Sequence, residues 1–201
     1  MSTIQLSNSI FKSPKSGSAS SSSTGSTPPS ISSPTSQKLT WFCDKFRPKF
    51  DNWIIEPISR LASGRDALLS FILTTCVIDY LAGFWWGTST IGDGGKAYKG
   101  FIDKYFPRNR YDSAGLYDSL RNGLVHMFTI KNKKYALTHC KTNLHLKLNR
   151  QGQTILNAGD FCVDLIYAKD QYFSDVEARP ELLDKFFERY NRDGFLGLSP
   201  L

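Results

Sequence analysis

Cysteine and histidine are scarce in this sequence, with four of the first and three of the second among 201 residues. Cys43, Cys76, Cys140 and Cys162 lie far apart with no CxxC pair, which excludes a dithiol redox motif and a zinc ribbon. His139-Cys140 with His145 is the one loosely metal-like cluster, and its spacing fits no common site. Cys76 and Cys162 stand in apolar helical surroundings and are expected to be buried thiols. That usage suits a reducing, cytoplasmic compartment. The start of the chain lacks the unbroken apolar run of a secretory signal, since Ile4-Gln5-Leu6-Ser7 breaks off at once. Arginine is absent from the first 38 residues, which argues against an organellar address.

What the opening does contain is Ser, Thr, Pro and Gly, with Ser18 to Ser36 almost free of large apolar groups. Such a segment buries too little surface to offset its ordering entropy, so residues 1–38 are expected to be a disordered, solvating tail. Residues 39–201 are long enough for one domain with a single core. The formal net charge of +7 suits a polyanionic partner but does not by itself select one.

Residues 39–58 interleave aromatic and basic groups (Trp41, Phe42, Lys45, Phe46, Arg47, Phe50, Trp53) and are broken by Pro48 and Pro57. They read as an amphipathic leader packed on the domain. Ala67 to Trp86 is nearly long enough to span a bilayer, but Asp79 and three hydroxyl residues favour a buried bundle helix, with no membrane insertion. Gly87 and Gly92-Asp93-Gly94-Gly95 should end that helix in a flexible loop. That loop has no GxxxxGK(S/T) lysine and follows a helix, so it makes a poor phosphate cradle. Lys96 to Phe106 has helical spacing, and Pro107 stops it.

After the loop carrying Arg108 and Arg110, Asp112 or Ser113 can cap a helix whose core stripe is Leu116, Leu120, Leu124 and Met127. Beyond Phe128 the period becomes two. Tyr135–Thr138, Leu144–Leu148 and Gln153–Leu156, with a turn at Asn149–Gly152, predict a small antiparallel sheet over about 134–157. In that pattern His145 is a solvent-facing strand residue. Ala158 to Ser174 and Pro180 to Tyr190 predict two more helices.

The chemistry concentrates in Arg121-Asn122-Gly123-Leu124-Val125-His126. Arginine keeps its charge at working pH, and histidine moves a proton near neutrality. Together they can cleave RNA without a metal, one group on the phosphate and the other at the ribose 2′-OH. Asn122 and His126 share a helix face, whereas Arg121 points about 140° away from the histidine. Either the long arginine stem bends round, or a second copy completes the site. The pattern favours the second.

The wider phrase from Leu116 to His126, with the apolar helix ending Ile78-Asp79-Tyr80-Leu81-Ala82-Gly83, resembles the HEPN domain family over roughly residues 60–175. That family places Arg, a polar residue, a short spacer and His on a late helix of a bundle. The resemblance implies a mainly α fold, here with the β insertion added, and a homodimer whose two motif helices face each other. It implies a metal-independent endoribonuclease that needs no cofactor. His126 would act as acid and base, Arg121 would hold the phosphate and Asn122 would orient it. Arg108, Arg110 and Tyr117 are the accompanying candidates for binding RNA. Family members serve as toxins, defence effectors or RNA-processing enzymes, so an antitoxin or other regulatory protein is a further partner to expect. Others act only as non-catalytic RNA-, nucleotide- or protein-binding modules. Met127 and Phe128 depart from the polar or aromatic residue that often follows the histidine.

Overall fold

The computed structural model describes residues 33–87, 92–108, 110–140 and 142–195, and the rest of the chain lies outside that description. The expectation for residues 1–32 therefore falls outside it, while 34–38 already belong to the first helix. The described part is mainly helical. α1 covers 34–62, α2 Ala67–Trp86, α3 Gly94–Tyr105, α4 113–127, α5 Ala158–Ala178 and α6 Pro180–Asp193.

Pro48 and Pro57 do not break α1. Each removes a backbone donor and clashes with the carbonyl four residues back, at Asp44 and Trp53. Those two residues lie within wide i→i+5 turns, Phe42–Phe46 and Asp51–Ile55, which open the helix where the proline ring needs room. The wide turns have a second effect. Phe42, Phe46 and Phe50 would drift round a regular helix at four-residue spacing, and a turn holding more residues reduces that drift. Their rings stack at successive centroid distances of 5.7 Å and are essentially fully buried. Phe173 of α5 and Phe186 of α6 close on this column edge-to-face. Burial of each ring stabilises the fold by roughly 1.5–3 kcal/mol.

α2 is the central helix and packs against α1, α3, α4, α5 and α6. It is the one described helix long and apolar enough to cross a membrane, and most of it is buried in the bundle. Gly94 and Gly95 form the first turn of α3 rather than a loop, and Gly95 lies against the Tyr117 ring. A Cβ at Gly95 would stand 2.9 Å from Tyr117 Cε1.

The sheet differs from the expected one. β1 (Tyr135–Thr138) and β2 (Thr154–Asn157) pair in parallel, from Tyr135 opposite Thr154 to Thr138 opposite Asn157. The turn at Asn149–Gly152 does form, closed by Asn149 N–H to Gln153 O at 2.9 Å, with Gly152 at φ 74°. Residues 144–148 contribute only a single antiparallel bridge, Leu148 to Thr154. Their alternation fails because Leu146 is left-handed (φ 62°) and His145 turns inward, leaving its side chain 4% exposed.

Candidate functional site

α4 begins at the Asp112 cap, whose carboxylate accepts from Gly115 N–H at 2.8 Å. Its middle, Leu116–Arg121, is another wide turn that leads directly into the motif. Leu116, Leu120 and Leu124 anchor this helix in the core, but Met127 is 52% exposed and leaves the expected stripe. Beside that anchored face the Arg121 side chain bends round the helix and meets three acceptors. Its NH2 donates to Asp79 Oδ2 of α2 at 2.6 Å. Its NH1 donates to Asn122 Oδ1 at 3.0 Å and to His126 Nε2 at 3.2 Å. The guanidinium also lies 5.6 Å from the Tyr117 ring centroid, where the ring face attracts a cation. The angular separation of Arg121 and His126 is thus bridged inside one chain by the length of the arginine stem.

Guanidinium has no acceptor, so His126 Nε2 must present its lone pair to Arg121, and the ring proton sits on Nδ1. The imidazole in this contact is the neutral tautomer with Nε2 able to take a proton. Burial works against the Arg121 charge, but the hydrogen bond and charge of Asp79 outweigh it and raise the pKa further. Beside this cluster is a cavity of about 170 Å³ lined by Asp79, Gly83, Gly94, Tyr117, Arg121 and Arg189. Arg189 comes from α6, where its Nε pairs with Asp193 at 2.5 Å, and its guanidinium rests on Gly83. Two arginines from distant parts of the sequence therefore converge on one small polar space.

The helix ends abruptly after the histidine. Phe128 adopts the left-handed conformation at φ 52° and is 71% exposed. Its N–H caps Leu124 O, and Thr129 N–H caps Gly123 O, both at 3.2 Å. A bulky residue there is strained, and such strain gathers at functional sites. Phe128→Gly should relieve it and stabilise the protein by roughly 0.5–1 kcal/mol, read as a higher urea midpoint at unchanged slope.

Of the remaining expected contacts, Tyr117 joins the site and the loop arginines do not. Arg108 follows the C-terminal end of α3, whereas Gly94 at its other end borders the Arg121 cavity, about 16 Å of helix away. Arg110 pairs with Asp164 at 3.4 Å. Cys162 is buried as expected, but Cys76 is exposed. His139 and Cys140 face solvent while His145 is buried, so that trio does not converge. Two residues outside the motif, Asp79 and Arg189, complete the site. A lone carboxylate in a twenty-residue apolar helix was the available signal for Asp79, since such a charge needs a partner. Nothing local marks Arg189. Comparison with family models, with curated proteins and with solved structures finds no match. Fold and site together define a mainly α domain with a surface Arg–Asn–His cluster braced by a carboxylate.

Proposed function

We propose that this protein is a HEPN-like, metal-independent endoribonuclease of the cytoplasm, with Arg121, Asn122 and His126 at its centre. The observation that carries the reading is the 3.2 Å contact between Arg121 NH1 and the lone pair of His126 Nε2 on an exposed helix end. A scissile phosphate that takes the guanidinium frees that lone pair. Nε2 then removes the 2′-OH proton, the 2′-oxygen attacks phosphorus and the P–O5′ bond breaks. Arg121 neutralises charge on the phosphorane, and Asn122 holds the guanidinium or a phosphate oxygen. The products are a 2′,3′-cyclic phosphate and a 5′-hydroxyl. A second imidazole protonates the leaving oxygen, and a homodimer built through this helix supplies one. Asp79 acts through Arg121 as a positioning residue.

A single experiment tests this: wild-type and His126→Ala protein incubated with mixed single-stranded RNA in excess EDTA, with product ends identified. Cleavage by the wild type that leaves cyclic phosphate, and its loss by about a hundredfold or more in the variant, is expected. Undiminished cleavage by His126→Ala removes that residue from the mechanism. The engagement of Arg121 by Asp79 favours one alternative, a non-catalytic module that binds RNA, a nucleotide or a regulatory protein with the same face. RNA bound but never cut, by a verified dimer, selects that alternative.

A further inference from the structure

The charge of this chain is not spread evenly. It has 25 Lys and Arg against 18 Asp and Glu, for a formal net charge of +7. Residues 119–159 contain seven of those cations and no acid, so the other 160 residues balance at 18 of each sign. The entire excess therefore lies on the motif end of α4 and the β insertion.

Elsewhere most of the described cations sit in ion pairs. Lys38 pairs with Asp184 at 2.6 Å, Arg47 with Glu177 at 2.5 Å and buried Lys169 with Asp51 at 2.5 Å. Among the described residues of the insertion only Lys134 is paired, with Asp112. Among the described residues, Lys131, Lys133, Lys147 and Arg150 make no ion pair, and the last three are exposed. Keeping like charges together without counter-ions costs stability, which suits a surface that meets a polyanion.

The insertion is also fixed to the motif. The absent side chain of Gly123 lets the backbone of Thr129 and Lys131 press on α4 one residue from Asn122. Gln153 Nε2 donates to Lys133 O, and Thr154 N–H donates to Lys134 O, both at 2.9 Å. The Lys131–Lys134 turn is thereby held against the Arg150–Gln153 turn. Between these turns and α4 runs an open groove of about 960 Å³. Its α4 wall carries Asp112, which Lys134 pairs, and Asp118, so the cationic edge is the insertion side. At the head of the insertion stands Phe128, two residues after His126, strained and exposed.

We propose that this segment is the docking surface for single-stranded RNA: Lys131, Lys133, Lys147 and Arg150 track the phosphates, and Phe128 stacks on an unpaired base beside His126. The assignment rests on the nuclease reading and names how its substrate is held. Cations along a backbone with an aromatic platform form a sequence-tolerant mode of single-strand binding. A duplex keeps its bases stacked and offers Phe128 nothing. The strain at Phe128 then has a purpose, since it projects a large apolar ring into solvent beside the reacting group.

Fluorescence anisotropy of labelled oligo-RNA against salt, with the His126→Ala full chain to prevent turnover, tests this. Lys133→Ser with Lys147→Ser and Arg150→Ser should weaken binding by about tenfold or more and flatten the log–log salt slope by roughly 2. The charge-matched control Lys45→Ser with Arg65→Ser and Lys185→Ser should stay within about twofold, its cations lying elsewhere on the surface. Phe128→Gly should lose about tenfold for single-stranded RNA while raising stability, a pair of opposite signs that a packing role would not produce. Equal weakening by both triple variants, or equal affinity for polyglutamate of matched charge, overturns the dock. RNA cleavage with a salt slope unmoved by the insertion triple overturns the dock and leaves the nuclease standing. Binding through the insertion without cleavage by the wild type does the reverse.

Discussion

Gly123→Ala is expected to destabilise this protein by about 3 kcal/mol, although the substitution alone would favour the helix by about 1 kcal/mol. The sign follows from one distance. A Cβ on Gly123 would stand 2.2 Å from Thr129 O and 3.1 Å from Lys131 N. Both neighbours are backbone, so no rotamer change relieves the clash. Thr129 is further tied by its own N–H to Gly123 O at 3.2 Å. The turn must therefore move away from α4, exposing that side of Leu124 and loosening the insertion at its root. For a domain of this size the loss corresponds to a melting point lower by roughly 6–12 °C. The same change should reduce RNA affinity beyond what destabilisation explains, because Lys131 and Lys133 are carried by the displaced turn. A thermal melt decides the first point: Gly123→Ala melting at or above wild type would mean that the turn does not press on the helix.

The helical bundle was legible because its signals are local. The apolar run of α2, the period of α3, α5 and α6, and the Asp112 cap appear in the structure as the sequence predicts. The structure departs from the local pattern where a distant contact overrules it. Pro48 and Pro57 are helix breakers in isolation, yet the Phe42–Phe46–Phe50 column packs too well against α5 and α6 for α1 to end there. Residues 144–148 alternate like a strand, but a buried site for His145 pulls the chain off that path. The motif itself was visible, and its internal contact was not. Helical angles place Arg121 and His126 on different faces, and only Asp79, 42 residues earlier, shows which way the guanidinium bends. The acid-free stretch from Ser119 to Gly159 was countable from the sequence. Its meaning depended on the parallel pairing that folds it beside the motif.

That buried site for His145 carries the other large expected effect, at Asp164. His145 Nδ1 accepts from Asn157 N–H at 3.0 Å, which leaves the ring proton on Nε2. Nε2 donates to Tyr111 Oη at 2.9 Å, and Tyr111 donates in turn to Asp164 Oδ2 at 2.6 Å. Arg110 completes the chain at 3.4 Å. One carboxylate on α5 thus ties down the loop before α4 and the insertion after it. Asp164→Ala leaves the Tyr111 hydroxyl buried without its acceptor and releases Arg110, an expected loss of roughly 2–4 kcal/mol. Asp164→Asn keeps an acceptor and should lose less. The pH dependence has a definite sign. Burial pushes the Asp164 carboxyl up, but the adjacent His145 ring, 3.6 Å away, the hydrogen bond from Tyr111 and the charge of Arg110 outweigh it and hold its pKa below the usual range. A carboxylate with a lowered folded pKa contributes fully above its unfolded value of about 3.9 and loses that contribution as pH falls through the folded one. The stability gap between wild type and Asp164→Asn should therefore be constant through the neutral range and narrow only below about pH 4. Urea unfolding across that range provides the measurement. A gap that widens on acidification would show that the carboxylate is not the ionised hub of this network.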